Sequence, residues 1–276
     1  MKTKIIVDST ADLMTNIKEQ VAVVPLTVFF GEEEFVDGVT IDHKTFYEKL
    51  TTSEFHPTTS QATPAAFAAE FEKVQNGAVV ITLASKLSGT YQSAVIAADD
   101  FEDIYVVESG NATVGAAILV ERALQLADQG LTAKEIAEIL EEEKNKIVLI
   151  ALVDTLEYFK RGGRISATVA FAGAVLNIKP VISVIGGEIS ILGKARGTKL
   201  GNAMLMQEVE KTGGIDFSKP VMLGYTGLQP DLLLKFLEEN DEYFKSNLEE
   251  TRYTSIGSVI GTHAGPNAFA IAYFKK

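Results

Sequence analysis

The chain has no cysteine among its 276 residues. That excludes a disulfide framework and a cysteine–zinc site, and it suits a reducing compartment. Histidine is scarce: His43, His56 and His263 stand far apart and none falls in an H-E-x-x-H pattern, so the sequence gives a metal site no support. Both G-x-G-x-x-G and G-x-S-x-G are missing, which removes the dinucleotide-binding turn and the nucleophile elbow. The segment "GEISILGKA" imitates a phosphate loop but places five residues between Gly187 and Gly193, and Ala195 where a magnesium-binding hydroxyl belongs. Positive charge is in deficit, and a net charge of −12 repels nucleic acid and anionic membrane surfaces. The uncharged run Ile165–Ile178 has fourteen residues, short of the roughly 20 that a membrane span needs. The opening "MKTKIIVDST" has too short an apolar stretch for a signal peptide. The expectation is a cytoplasmic protein with no stable membrane insertion and no nucleic-acid partner.

What is present is a globular core, with 46% hydrophobic residues. The first half alternates apolar strands with amphipathic helices. "KIIVD", "VAVVPLTVFF", "AVVITL", "IYVVES" and "IVLIALV" read as strands. Helices start at Asp42, at Thr63 followed by Pro64, and at a Thr132…Glu135 capping box, and one ends at Gly130. This rhythm predicts a mainly parallel sheet with helices on both faces. From about Ser166 hairpins enter: "KPVISVIG" and "EISILG" flank Gly186-Gly187, and strands around "RYTSIG" and "AFAIAYF" close the chain. The fold class expected is α/β in two domains, a mainly parallel N-terminal domain over 1–165 and an α+β domain with a mixed or antiparallel sheet over 166–276.

Four polar segments carry the candidate chemistry. "TTSQATP" (58–64) crowds Thr58, Thr59 and Ser60 before a helix start, more hydroxyls than capping by Thr63 requires. "KLSGTYQSA" (86–94) sets Ser88 and Gly89 after a buried strand, where glycine lets a backbone N–H approach an anion at a helix start; Ser88 as a plain cap is the plainer reading. "KRGGRIS" (160–166) puts Arg161 near a helix C-terminus, which the dipole explains, and Arg164 beyond two glycines, which it does not. "GTHAGPNA" (261–268) holds His263 in what reads as a tight loop of small residues. Asp8, Asp12 and Asp37 are candidate carboxylates, with Asp8 and Asp12 read first as turn and cap residues. Together these groups suit one anionic head, and none of them is an activated nucleophile.

"KIIVDSTADL", "TTSQATP", "LASKLSGTYQSA", "DTLEYFKRGGRIS", "NIKPVISV…GKARG" and "GTHAGPNA", in this order, resemble the DegV family across nearly the whole chain. The resemblance implies a two-domain protein that holds a long-chain fatty acid between its domains, with no cofactor and no turnover of its own. It further implies a separate ATP-binding fatty acid kinase subunit that receives the carboxylate and makes the acyl phosphate for phospholipid synthesis. By position, Thr59, Ser60, Ser88 and Gly89 grip the carboxylate, Arg164 and His263 join the same polar network, and Lys194 and Arg196, with Lys199 nearby, dock the kinase. The small-residue stretch 166–176 is a candidate for giving the tail room, and tight helix–sheet packing is its plainer reading. One departure is visible: many members read TSQP, whereas Ala62 follows Gln61 here. Two alternatives stand beside the kinase subunit, a passive fatty-acid buffer and a freestanding enzyme acting on an anionic lipid.

Overall fold

The computed structural model describes residues 2–165, 177–247 and 252–276. Strand β1 (Lys4–Asp8) runs into a 3-10 turn because the Asp8 carboxylate accepts both the backbone N–H and the hydroxyl of Thr10. After α1 (Thr15–Lys18) the apolar stretch 21–30 divides at Pro25 into β2 (Ala22–Val24) and β3 (Thr27–Phe30). The two pieces join different sheets, as befits a residue with no N–H to offer a ladder. Strand β4 (Glu33–Val36) and helix α2 (His43–Thr52) follow, the latter capped by Asp42 on Thr45 N–H. Next come β5 (Thr58–Ser60) and α3 (Pro64–Phe71), capped by Thr63 on Ala66 N–H.

The parallel unit continues through β6 (Ala78–Thr82), α4 (Thr90–Ala98), β7 (Ile104–Glu108), α5 (Thr113–Asp128) and α6 (Ala133–Glu143). The expected Thr132–Glu135 capping box closes reciprocally at the start of α6. Then follow β8 (Ile147–Leu152), α7 (Glu157–Arg161) and the hairpin of β9 (Ile178–Ile185) with β10 (Glu188–Arg196). The described chain ends with α8 (Thr198–Lys211), β11 (Val221–Tyr225), α9 (Asp231–Glu239), α10 (Asp241–Lys245), β12 (Tyr253–Ser255), α11 (Ser258–Ala264) and β13 (Phe269–Phe274).

Three sheets result. The first is parallel, in the order β2-β1-β6-β7. The chain leaves β1 for β2 on one side and returns to β6 on the other, so its topological switch lies between β1 and β6, where open α/β sheets form a ligand crevice. The second is mixed, in the order β10-β9-β8-β13-β11-β12, antiparallel except for the β11–β12 pair. A small antiparallel sheet, β4-β3-β5, was not legible in the sequence. Sheet membership does not change at residue 165, because β8 already pairs with β9 and β13 of the mixed sheet.

Helix α5 lies between the two large sheets and is buried over twelve of its sixteen residues. Its small residues, Gly115, Ala116, Ala117, Ala123 and Ala127, let both sheets approach. The period-two alternation of β8 divides its side chains, with Leu149 and Ala151 turned to this shared core and Ile150 and Leu152 to the core under α8 and α9. Among the described residues no helix is long and apolar enough to cross a membrane.

Candidate functional site

An apolar cavity opens beside the start of α5, walled by the mixed sheet, the loop after β6 and α11. From the mixed sheet it takes Leu149 and Ala151 of β8, Ile182 and Val184 of β9 and Ala270 of β13, and from the loop just past β6 it takes Leu83, at the switch point of the parallel sheet. Ala112, Ala264 and Ala268 add further small walls, so alanines make the room. The stretch 166–176, considered for this purpose from the sequence, lies outside the described residues. The space free of protein atoms is about 860 Å³, a figure that includes solvent at its open mouth.

One end of this cavity is polar. Thr59 and Ser60 reach it from β5, Ser88 from the loop before α4, Arg164 from the turn after α7 and His263 from the last turn of α11. Five of the six residues expected at the head group thus line one space. The sixth, Gly89, stands behind it as the N-cap of α4. A Cβ there would meet Gln61 Oε1 at 2.1 Å, so glycine is needed for Gln61 to lie across the loop. Gln61 also lines the cavity and donates from Nε2 to Ser93 Oγ at 2.8 Å, tying β5 to α4. Sequence reading passed over Gln61; its place inside the first hydroxyl segment, directly after Ser60, was the available signal.

Ser88 Oγ lies 2.9 Å from Thr90 Oγ1 and accepts from Thr90 N–H at 3.3 Å, so the cap reading is true as well. The Thr59 hydroxyl and His263 Nε2 are 3.0 Å apart. His263 Nδ1 is buried with no partner among the described residues. It sits against Gly162, where a Cβ would come within 2.0 Å. His263 lies on a helix and not in a loop, since Gly257 and Gly265 flank α11 as its caps.

Electrostatics sort these groups. Burial first, then the positive charges of Arg164 and of protonated His56, hold His263 down to about 3, so its imidazole is neutral at physiological pH. Arg164 is half-buried, donating from Nε to Leu87 O at 3.1 Å and from Nη1 to Gly162 O at 2.6 Å. Burial lowers its affinity for its proton, yet a guanidinium stays charged. No carboxylate pairs with it among the described residues. The cavity end therefore offers one fixed positive charge, three hydroxyls and a neutral imidazole, a set that favours a single carboxylate-sized anion.

The other candidates lie elsewhere. Asp12 and Asp37 converge on the opposite end of α11, and Asp8 borders the same outer cavity. Asp12 Oδ1 accepts from Gly257 N–H at 2.7 Å, and Asp37 Oδ1 accepts from the Ser258 N–H and hydroxyl at 3.1 and 2.5 Å. Asp8 is spent on Thr10 and on Leu83 N–H, as a turn residue should be. Among the described residues no group of three His, Cys, Asp or Glu is arranged to hold a metal ion. Lys194 and Arg196 at the end of β10 and Lys199 at the start of α8 do not line the cavity. They are exposed and form no ion pair among the described residues.

Residues 2–276 match the family model described as "Uncharacterised protein, DegV family". A DegV domain-containing protein of Caldanaerobacter subterraneus subsp. tengcongensis is 36% identical, the match covering 100% of this chain and 99% of that one. Among solved structures, the chain is similar to a DegV family protein from Thermus thermophilus described for its fatty acid binding, at 29% identity, TM-score 0.88 and full coverage of both chains. The fold is also shared with the fatty acid kinase (Fak) B3 protein of Streptococcus pneumoniae, solved loaded with linoleic acid, at 23% identity, TM-score 0.88 and 100% of each chain.

Proposed function

Because this chain belongs to the DegV family, we propose that it binds a long-chain fatty acid, with the tail in the apolar cavity and the carboxylate among Thr59, Ser60, Ser88, Arg164 and His263. One observation carries this reading: a deep apolar cavity ends at a half-buried arginine that no carboxylate pairs with among the described residues. An uncompensated charge at the end of a greasy pocket calls for an anion with a long apolar tail. Each buried methylene contributes about 0.8 kcal/mol, and ordering a flexible tail offsets part of that sum. The fatty acid binding described for the Thermus relative agrees.

The finer reading is that the chain has no turnover of its own and presents the carboxylate to a separate ATP-dependent kinase subunit through Lys194, Arg196 and Lys199. Its support is the run of family motifs and the exposed basic cluster on an otherwise acidic protein. Denaturing extraction of the purified protein followed by mass spectrometry tests the binding. A near-stoichiometric long-chain fatty acid is the expected result. An empty extract together with failure to take up added fatty acid overturns the reading and returns the freestanding enzyme.

A further inference from the structure

His43, the first residue of α2, is half-buried and reaches across to two segments of the C-terminal half. Its Nε2 lies 2.7 Å from Gly227 O, and its Nδ1 lies 3.3 Å from Ile256 O. Backbone carbonyls only accept, and a neutral imidazole carries a single N–H. The imidazolium alone can donate to both; the neutral ring turns a lone pair on one carbonyl. The ring also packs against Tyr47 and Tyr225, with centroids 4.7 and 5.6 Å away and ring planes at 58° and 71°, and the Tyr47 hydroxyl donates to Ile256 O at 3.1 Å beside it.

The two bonded segments also form the acyl cavity. Ile256 and Thr226, the latter next to Gly227, line it, so His43 fastens their peptide backbones from outside the wall that their side chains help to build. We propose that His43 is a proton-operated bolt on this wall: as an imidazolium it ties α2 to both segments, and losing the proton loosens the wall and speeds release of the bound acid. This rests on the fatty-acid reading above and adds regulation to it.

The charged surroundings are mixed. Asp8, Asp12, Asp37 and Asp42 border the same outer cavity as His43 and favour its charge where ionised, while Lys18 there and the N-terminal dipole of α2 oppose it. Asp12 acts in the same direction. Burial pushes its carboxyl up, so a rising pH ionises it against that burial and weakens the folded arrangement around Gly257, and the His43→Gln comparison separates this contribution from that of the bolt. His263 stays neutral throughout, and burial moves His56 down as well.

The test is the dissociation rate of cis-parinaric acid, an intrinsically fluorescent long-chain fatty acid, chased with excess oleate between about pH 5.5 and 8, where histidines change charge. A rate avoids the ionisation of free lipid in solution. The wild-type rate should rise about three- to tenfold across this range, the scale of one hydrogen bond, and His43→Gln should be flat or keep only a weaker slope of the same sign. The second readout needs no lipid: hydrogen exchange of the amides flanking Gly227 and Ile256, corrected for intrinsic rates, should accelerate with pH more in the wild type than in His43→Gln. A flat wild type in both measurements, or an unchanged slope in His43→Gln, overturns the bolt. If cis-parinaric acid does not bind at all, the fatty-acid reading falls, and hydrogen exchange still decides whether His43 is a bolt.

Discussion

The two ends of α11 are held in opposite ways. At its start, Asp12 and Asp37 accept from Gly257 and Ser258 at distances from 2.5 to 3.1 Å, and those backbone donors have their partners within the fold. At its end, His263 is left with a buried Nδ1 that no described residue meets, beside Arg164, which no carboxylate pairs with among the described residues. A buried polar group left unpaired is costly. Asp12 Oδ2 is also buried without a partner among the described residues. What separates the ends is that the start binds its backbone donors within the fold while the end turns His263 toward the apolar cavity. The start is the anchor and the end faces the cavity. Substitutions at the two ends should therefore separate stability from binding.

The largest effect belongs to Arg164. Arg164→Ala removes the one fixed positive charge at the polar end, and a charge-assisted bond contributes up to about 3 kcal/mol, so fatty acid affinity should fall about 100-fold. Fluorescent-lipid titration measures it, and affinity within twofold of wild type would show that the carboxylate sits elsewhere. Ser88→Ala should cost less, about tenfold for one hydroxyl to a charged group. Its Tm should move by only a few degrees, because the Thr90 backbone loses a long 3.3 Å contact. A melting temperature that collapses while binding holds would make Ser88 a cap and nothing more.

The anchor end predicts a pH signature instead. Burial raises the carboxyl of Asp12 well above its ordinary value of 3.8. The folded state then holds this proton more tightly than the unfolded chain, so Asp12 favours folding most at low pH. That contribution is lost as pH climbs from the ordinary carboxylate value through the raised one. Asp12→Asn keeps a side-chain oxygen for Gly257 N–H and removes the titration. Urea unfolding across that window should show less loss of stability with rising pH in the variant, with lipid affinity unchanged. A variant whose affinity drops as far as that of Arg164→Ala would erase the distinction between the two ends.

Sequence made the local devices legible because each is a short-range hydrogen-bond pattern. Asp42, Thr63 and the Thr132–Glu135 box cap the helices where expected, and Gly186-Gly187 turns the β9–β10 hairpin. The hydroxyl segments, Arg164 and His263 meet in one cavity as their chemistry suggested. Sheet membership was less visible. A strand buried on both faces, such as β8, reads as an apolar run whichever sheet it joins. Strand β5 is three polar residues long, and its partner β3 is fixed only by tertiary pairing. Helix α11 was hidden because its glycines imitate a loop, although two of them cap it. The convergence of Asp12 and Asp37 on that helix joins positions more than 200 apart, which no local pattern records.

The smallest expected effect on lipid tests the surface that touches neither end of α11. Arg196 is exposed at the end of β10, away from the cavity, and no acidic group pairs with it among the described residues. Arg196→Ala should leave fatty acid affinity within experimental error, since an exposed charge outside the site has little to contribute to a buried head group. If Lys194, Arg196 and Lys199 steer an acidic kinase surface, acyl phosphate formation with that partner should fall about tenfold, more steeply at low ionic strength where steering is strongest. Lipid binding and phosphorylation measured on the same preparations separate these outcomes. Undiminished phosphorylation would remove this loop from the docking surface, and the absence of any kinase-dependent product in the wild type would favour the passive buffer.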